Sequence, residues 1–95
     1  MNLKDKVAVI TGGSSGIGKA ISIALAKEGC SVVFTYNANE GGANEVLAQI
    51  GKNASKFKVD MGNEKEIETL FDFIKKKFGK LDILVNNAGI KNRPR

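Results

Sequence analysis

The most chemically informative stretch of the sequence is a glycine-rich turn near the N-terminus. It reads Thr11-Gly12-Gly13-Ser14-Ser15-Gly16-Ile17-Gly18 and joins an apolar run to a segment of helical periodicity. A diphosphate can approach a backbone closely only where side chains are absent. The start of a helix adds unpaired N–H donors and the positive end of the helix dipole. The turn therefore predicts a phosphate-binding site, the alternative being a structural turn whose glycines are needed for positive φ.

A second interpretation of the same turn is a P-loop. Residues 13–19 read Gly-x-x-x-x-Gly-Lys, but Ala20 stands where a P-loop needs a serine or threonine for Mg²⁺. The fourth predicted strand ends in Asn86 and Asn87, so Asp60 is the remaining candidate for a magnesium-binding acid. P-loop-like hydrolysis of a nucleoside triphosphate stays open as the alternative to binding of a dinucleotide.

The rest of the sequence alternates between apolar runs and segments of helical periodicity. Strands are predicted at residues 6–11, 31–36, 56–59 and 81–85, with helices in the three intervals between them. Asn39 and Asn63 are predicted to cap the second and third helices. This alternation predicts an α/β fold, a Rossmann-like parallel sheet of the form β-α-β-α-β-α-β with strand order 3-2-1-4. The polar–apolar alternation of the third strand favours an edge position.

Ligands of open parallel sheets bind beyond the carboxyl ends of the strands. Besides the glycine-rich turn, the predicted ends here are residues 36–39, 60–61 and 86–89. Asp60 could accept a hydrogen bond from an adenine amino group, or it could belong to a turn before Asn63. Residues 86–89 combine two amides with two small residues, a composition that suits either a ligand channel or a turn that ends a strand.

Composition and charge exclude several function classes. The chain has 95 residues, one cysteine and no histidine, which predicts one domain without an internal disulfide, a metal site or histidine-based catalysis. No apolar run is longer than the four residues of 7–10, so we expect neither a membrane partner nor a secretory signal, and we expect a cytoplasmic protein. Residues 1–90 hold 12 basic and 10 acidic residues, a net charge of +2, and no nucleic-acid partner is expected.

On these motifs the chain resembles the N-terminal cofactor-binding part of a classical short-chain dehydrogenase/reductase. The resemblance rests on Thr11-Gly12-x-x-x-Gly16-Ile17-Gly18, on Asp60 and on the run from Leu81 to Gly89, and it is closest to the 3-oxoacyl-(acyl carrier protein) reductase and glucose-dehydrogenase-like members. It implies an NAD(P)-dependent oxidoreductase that moves a hydride between a nicotinamide cofactor and a carbonyl or alcohol. Residues 1–90 would form the dinucleotide-binding half of a Rossmann fold, and residues 91–95 a basic tail.

The resemblance also implies a role for individual residues. The diphosphate and the adenosine ribose would contact Gly12, Ser14, Ser15, Gly16, Ile17 and Gly18. Asn37 would lie beside the ribose, and Asp60 and Met61 beside the adenine. The channel toward the nicotinamide would be lined by Asn87, Ala88 and Gly89, while Asn86 would tie the central strands together.

The choice between the two nicotinamide cofactors depends on the charge after the second strand. A carboxylate there hydrogen-bonds the ribose hydroxyls and repels a 2′-phosphate. The strand ends in Tyr36 and Asn37, with no acid before Glu40. Relatives that prefer NADP often carry a basic residue at the position of Ser15, but Lys19 could add positive potential nearby. The missing carboxylate favours NADP(H) over NAD(H).

The catalytic residues that the family needs, a serine and a Tyr-x-x-x-Lys pair, are missing from the chain. Its one tyrosine is Tyr36, and Glu40 stands four residues further on. We therefore expect no catalytic residue here and no activity from this chain alone. The chain would be a fragment of an oxidoreductase, a stand-alone non-catalytic dinucleotide-binding module or a nonfunctional truncated product. The fourth strand would become an apolar edge, which predicts self-association or pairing with the missing part of the fold.

Overall fold

Strands and helices alternate along the whole described part of the chain. The computed structural model describes residues 3–14 and 16–87. The elements are β1 (Val7–Thr11), α1 (Gly16–Lys27), β2 (Ser31–Tyr36), α2 (Glu40–Ile50), β3 (Ala54–Lys58), α3 (Glu64–Phe78) and β4 (Ile83–Asn86). The predicted α/β alternation is confirmed. The strand ends differ from the predicted ones by a residue or two, because hydrogen bonding to the neighbouring strand, rather than side-chain pattern, decides where a strand stops.

The four strands form a parallel sheet in the order β3-β2-β1-β4, which confirms the predicted topology. Val9 in β1 pairs with Val33 of β2 on one side and with Leu84 of β4 on the other. β3 pairs with β2, and among the described strands it lies at the sheet edge, as its alternating sequence predicts. Because all strands run in the same direction, their carboxyl ends lie along one edge of the sheet.

Both faces of the sheet are covered by helices, which explains the continuous apolar sequence of β1. Ala8 and Ile10 face α1 and α2, in a cluster that also contains Cys30 and Phe34. The alternate residues of β1 face α3 and pack with residues such as Leu70. Every residue of β1 is buried. The strand that carries the glycine-rich turn is therefore held on both sides, and the turn starts from a fixed point.

Asparagine side chains cap the second and third helices, as the sequence predicts. The Asn39 side chain accepts a hydrogen bond of 3.0 Å from the Gly42 N–H. Asn63 accepts from the N–H groups of Lys65 and Glu66, and its own amide donates to the Glu66 carboxylate at 3.3 Å. These bonds satisfy helix-start N–H groups that have no partner inside the helix. None of the helices in the described ranges is long and apolar enough to cross a membrane.

Asp82 joins the start of β4 to the start of β1. Its carboxylate accepts a 2.8 Å hydrogen bond from the Val7 N–H, and its own N–H donates to the Val7 carbonyl at 2.9 Å. The hydrogen bond from the Val7 N–H is the main reason why the pKa of Asp82 lies below its ordinary value of 3.8. Lys80, whose ammonium is 3.4 Å away, lowers this pKa further. The ionised carboxylate thus stabilises the pairing of these two strands.

Replacing Asp82 with asparagine tests this contact through the pH dependence of stability. Because the pKa is lowered in the folded state, the stabilisation is fully present above 3.8 and is lost as the pH falls through the lowered value. D82N should unfold at lower urea concentration than the original chain at neutral pH, and the difference should shrink in acid. An equal difference at both pH values would show that the carboxylate charge contributes nothing.

Candidate functional site

The glycine-rich turn is held from both sides at the carboxyl edge of the sheet. On the β2 side, the Gly12 N–H donates to the Thr35 hydroxyl at 3.0 Å, and the Gly13 N–H donates to the Thr35 carbonyl at 2.9 Å. On the β4 side, the Asn87 amide donates to the Gly12 carbonyl at 3.1 Å. The turn is thereby fixed before any ligand arrives.

Two of the glycines in this turn are required by close packing. A Cβ on Gly18 would lie 2.1 Å from the Gly12 carbonyl oxygen and 2.7 Å from the Asn87 side-chain nitrogen. A Cβ on Gly13 would lie 2.5 Å from the Cβ of Phe34. The absence of these side chains lets α1 start directly against the turn. These two glycines are therefore required for steric reasons, whereas the positive φ expected of a structural turn occurs at Gly12 and Gly16.

Gly16, the first residue of α1, differs from both. Its φ is +60°, and a Cβ built on it would meet no atom within 4 Å. The open space lies at the helix N-terminus, where the first turn carries no acidic residue. The side chain of the next residue, Ile17, is 68% exposed although it is apolar. A helix start with free space, no negative charge and an exposed apolar side chain can receive an anionic group attached to a sugar or ring.

The end of β2 and the start of α2 form the next part of this edge. Tyr36 is buried, and Asn37 follows it as an exposed residue. The first turn of α2 packs closely on the glycine-rich turn, since a Cβ on Gly42 would lie 2.6 Å from the Ser14 carbonyl oxygen. The Glu40 carboxylate faces the Lys56 ammonium of β3 at 3.4 Å.

Asp60, whose role the sequence left open, belongs to a turn, and Asn86, expected to tie the central strands together, contacts β1. The Asp60 carboxylate accepts from the Gly62 N–H at 2.9 Å, and its own N–H donates to Glu66 at 2.8 Å, so it does form a turn before α3. Met61 packs against the core on the α3 side of the sheet. The Thr11 hydroxyl lies 3.2 Å from the Asn86 side-chain oxygen, which links the carboxyl ends of β1 and β4.

The structure thus brings most of the predicted site residues to one edge of the sheet. Those described are Gly12, Ser14, Gly16, Ile17, Gly18, Asn37, Asp60, Met61 and Asn87. Ser15, Ala88 and Gly89 lie outside the described residues. Within the described ranges, no three histidine, cysteine, aspartate or glutamate side chains come together as a possible metal site.

Comparison with known proteins identifies the family. Residues 6–95 match the family described as short chain dehydrogenase. The chain belongs to the short chain dehydrogenase family. Its fold agrees, because a short chain dehydrogenase from Bacillus anthracis, solved by crystallography, superimposes with a TM-score of 0.83 at 39% sequence identity. That superposition covers 90% of this chain and 36% of the other.

Curated relatives of this short chain dehydrogenase are named for different activities. It is 44% identical over 91 residues to the hydroxynaphthalene reductase-like protein Arp2 of Metarhizium guizhouense, and the aligned region covers 93% of this chain and 34% of that protein. It is 43% identical to the 3beta-hydroxysteroid dehydrogenase of Mediterraneibacter gnavus, covering 90% and 32%. It is also 43% identical to the L-rhamnose 1-dehydrogenase (NADP(+)) of Thermoplasma acidophilum, covering 95% and 37%. The chain spans about a third of the length of these curated relatives.

Sequence reasoning missed three residues that shape the carboxyl side of the sheet in this short chain dehydrogenase. Thr35 orients the turn, but a threonine in a strand is ordinary and gives no signal. Gly42 could have been found, because two adjacent glycines at a helix start cost helix propensity and so suggest a steric reason. The pairing of Lys56 with Glu40 depends on strand register and could not be read from spacing.

A pair of glycine-to-alanine variants tests whether close packing fixes the turn. Gly18 and Gly41 both lie in the first turn of a helix, but a Cβ at Gly41 meets nothing within 4 Å. G18A should lower the free energy of unfolding by about 1–3 kcal/mol, the usual cost of overpacking. G41A should leave it unchanged or raise it by up to about 1 kcal/mol through helix propensity. Urea unfolding measures both, and equal effects would mean that α1 does not need to approach the Gly12 carbonyl.

Proposed function

We propose that this chain binds a nicotinamide dinucleotide at the carboxyl edge of its sheet and serves as the cofactor-binding part of an NAD(P)-dependent oxidoreductase. The observation that carries the proposal is the turn over residues 12–18, which is fixed between Thr35 and Asn87 and opens onto the start of α1. Family membership supports the same conclusion, since the relatives named above are dehydrogenases or are similar to a reductase.

The residues fit such a ligand in charge and in space. The diphosphate would lie over Gly16, where the helix start is open and free of acidic residues. The exposed Ile17 side chain would pack on the sugar or ring next to it. Gly12, Ser14, Ser15 and Gly18 would complete the contacts to the diphosphate and ribose. Asn37 would contact the ribose, Asp60 and Met61 the adenine, and Asn87, Ala88 and Gly89 the path toward the nicotinamide.

When bound, the cofactor would supply hydride chemistry on a carbonyl or alcohol. What the described residues of this chain contribute is binding and orientation. Tyr36 packs among core residues on the α1–α2 side, 8% exposed, which does not suit a proton donor to substrate. We therefore assign no catalytic residue to this chain and propose that it has no activity by itself.

The charge beyond β2 supports a preference for NADP(H) over NAD(H). Tyr36 and Asn37 stand where a ribose-binding carboxylate would discriminate against a 2′-phosphate. Lys19, in α1, adds a positive charge, although it is partly compensated by Glu45 at 3.6 Å. The Thermoplasma acidophilum relative is named as an NADP(+) enzyme.

Titration of the full chain with NADPH and NADH, followed by nicotinamide fluorescence and calorimetry, tests the proposed function. We expect saturable binding of at least one dinucleotide, with NADPH tighter. MgATP serves as the competing ligand. If MgATP binds and neither dinucleotide does, the P-loop interpretation gains and the proposal is wrong.

Replacing Asn37 with aspartate tests the proposed place of the ribose. N37D should lower the preference for NADPH over NADH by about tenfold, because a carboxylate accepts from the ribose hydroxyls and repels a 2′-phosphate. N53D is the matched control. It makes the same change of charge, but Asn53 precedes β3 and so lies at the amino ends of the strands, away from the proposed site. An unchanged NADPH-to-NADH ratio in N37D would contradict the placement.

A further inference from the structure

Glu40 is the first carboxylate after β2, and in the structure it is ion-paired. It lies three residues beyond Asn37, which stands where a dinucleotide-binding fold carries the acid that hydrogen-bonds the ribose 2′-hydroxyl. An unpaired acid near that position would oppose a 2′-phosphate. Its Oε2, however, lies 3.4 Å from the Nζ of Lys56, a residue of the neighbouring strand β3.

Lys56 is held in place by more than this carboxylate. Its Nζ donates a 2.6 Å hydrogen bond to the Asn44 side-chain oxygen and lies 5.7 Å from the centre of the Tyr36 ring. Its side chain is 28% exposed, against 67% for Glu40. The position of the ammonium therefore does not depend on Glu40. The carboxylate, in contrast, has Lys56 as its ion-pair partner within the described residues.

We propose that Lys56 is a specificity-determining residue, which neutralises Glu40 at the start of α2 and so allows the site to accept a dinucleotide carrying a 2′-phosphate. The inference rests on the proposed function, because it concerns the ribose end of the same site. Charges near a protein surface act over about 10 Å at 0.1 M salt, so Lys56 can act without touching the ligand. The charge of the ribose end is then set by a pair of residues from β3 and α2.

A purely structural role for Lys56 makes a different prediction. As a tether between α2 and β3, it would change the affinity for both dinucleotides equally. Lys77 provides a matched comparison on the other face of the sheet. Its Nζ lies 3.4 Å from the Ser55 hydroxyl of β3, so it also joins a helix to β3 through a polar contact, and it lies within 5.6 Å of the centres of the Phe73 and Phe78 rings of its own helix.

The experiment measures the ratio of NADPH to NADH affinity in the full chain and in the variants K56Q, E40Q, K56Q/E40Q and K77Q. K56Q should lower the preference for NADPH about two- to fivefold, because it leaves Glu40 uncompensated. E40Q should raise it by a similar factor, since Asn44 and the Tyr36 ring still hold the ammonium. The two single effects should shrink at high ionic strength. K77Q should leave the ratio unchanged.

A comparison of adenosine 2′,5′-bisphosphate with AMP isolates the contribution of the 2′-phosphate from the rest of the cofactor. In each variant, the ratio of their affinities should change by the same factor as the NADPH-to-NADH ratio. Equal weakening of both dinucleotides in K56Q, or an unchanged ratio in E40Q, would make Lys56 a tether and overturn the inference while the proposed function stands. Binding of neither dinucleotide by the original chain, with helical circular dichroism intact, would overturn both. E40Q keeps the test decisive if K56Q does not fold.

Discussion

The close approach of α1 to the carbonyl oxygen of Gly12 is the constraint on which the rest of the site depends. A Cβ at Gly18 would stand 2.1 Å from that oxygen, so the third residue of α1 must be a glycine. The same oxygen accepts from Asn87, beyond β4, while the Gly12 N–H is bound by Thr35 of β2. The carboxyl ends of three neighbouring strands, β2, β1 and β4, are therefore joined through the backbone of one residue, Gly12.

This locking explains why the sheet must be buried on both faces. The turn can present a fixed helix start only if β1 cannot shift, and every residue of β1 is buried between the helices of the two faces. Asp82 fixes the other end of the same strand through the Val7 N–H. Core packing and strand pairing thus hold β1 in place, and β1 in turn holds the glycine-rich turn. A ligand at the helix start would meet N–H groups that are already oriented. Such preorganisation lowers the cost of binding.

Much of this could be predicted from the sequence, because local patterns carried it. The alternation of apolar runs and amphipathic helices gave the parallel order, and the asparagines before α2 and α3 cap those helices as expected. Contacts between distant residues could not be predicted. The hydrogen bond from Gly12 to Thr35 and the ion pair of Lys56 with Glu40 depend on register. Asp60 showed the same limit, since its residue type suits both an adenine contact and the turn in which it is found.

The central claim is that a dinucleotide binds at the carboxyl edge of the sheet, over the glycine-rich turn. The most direct measurement is a titration of the ¹⁵N-labelled chain with NADPH, followed by amide chemical shifts. We expect the largest changes at residues 12–18, with further changes at Asn37 and at residues 60–61, and little change at residues 51–55, at the amino end of β3. Changes centred on the amino ends of the strands, or no changes at saturating NADPH, would contradict this claim.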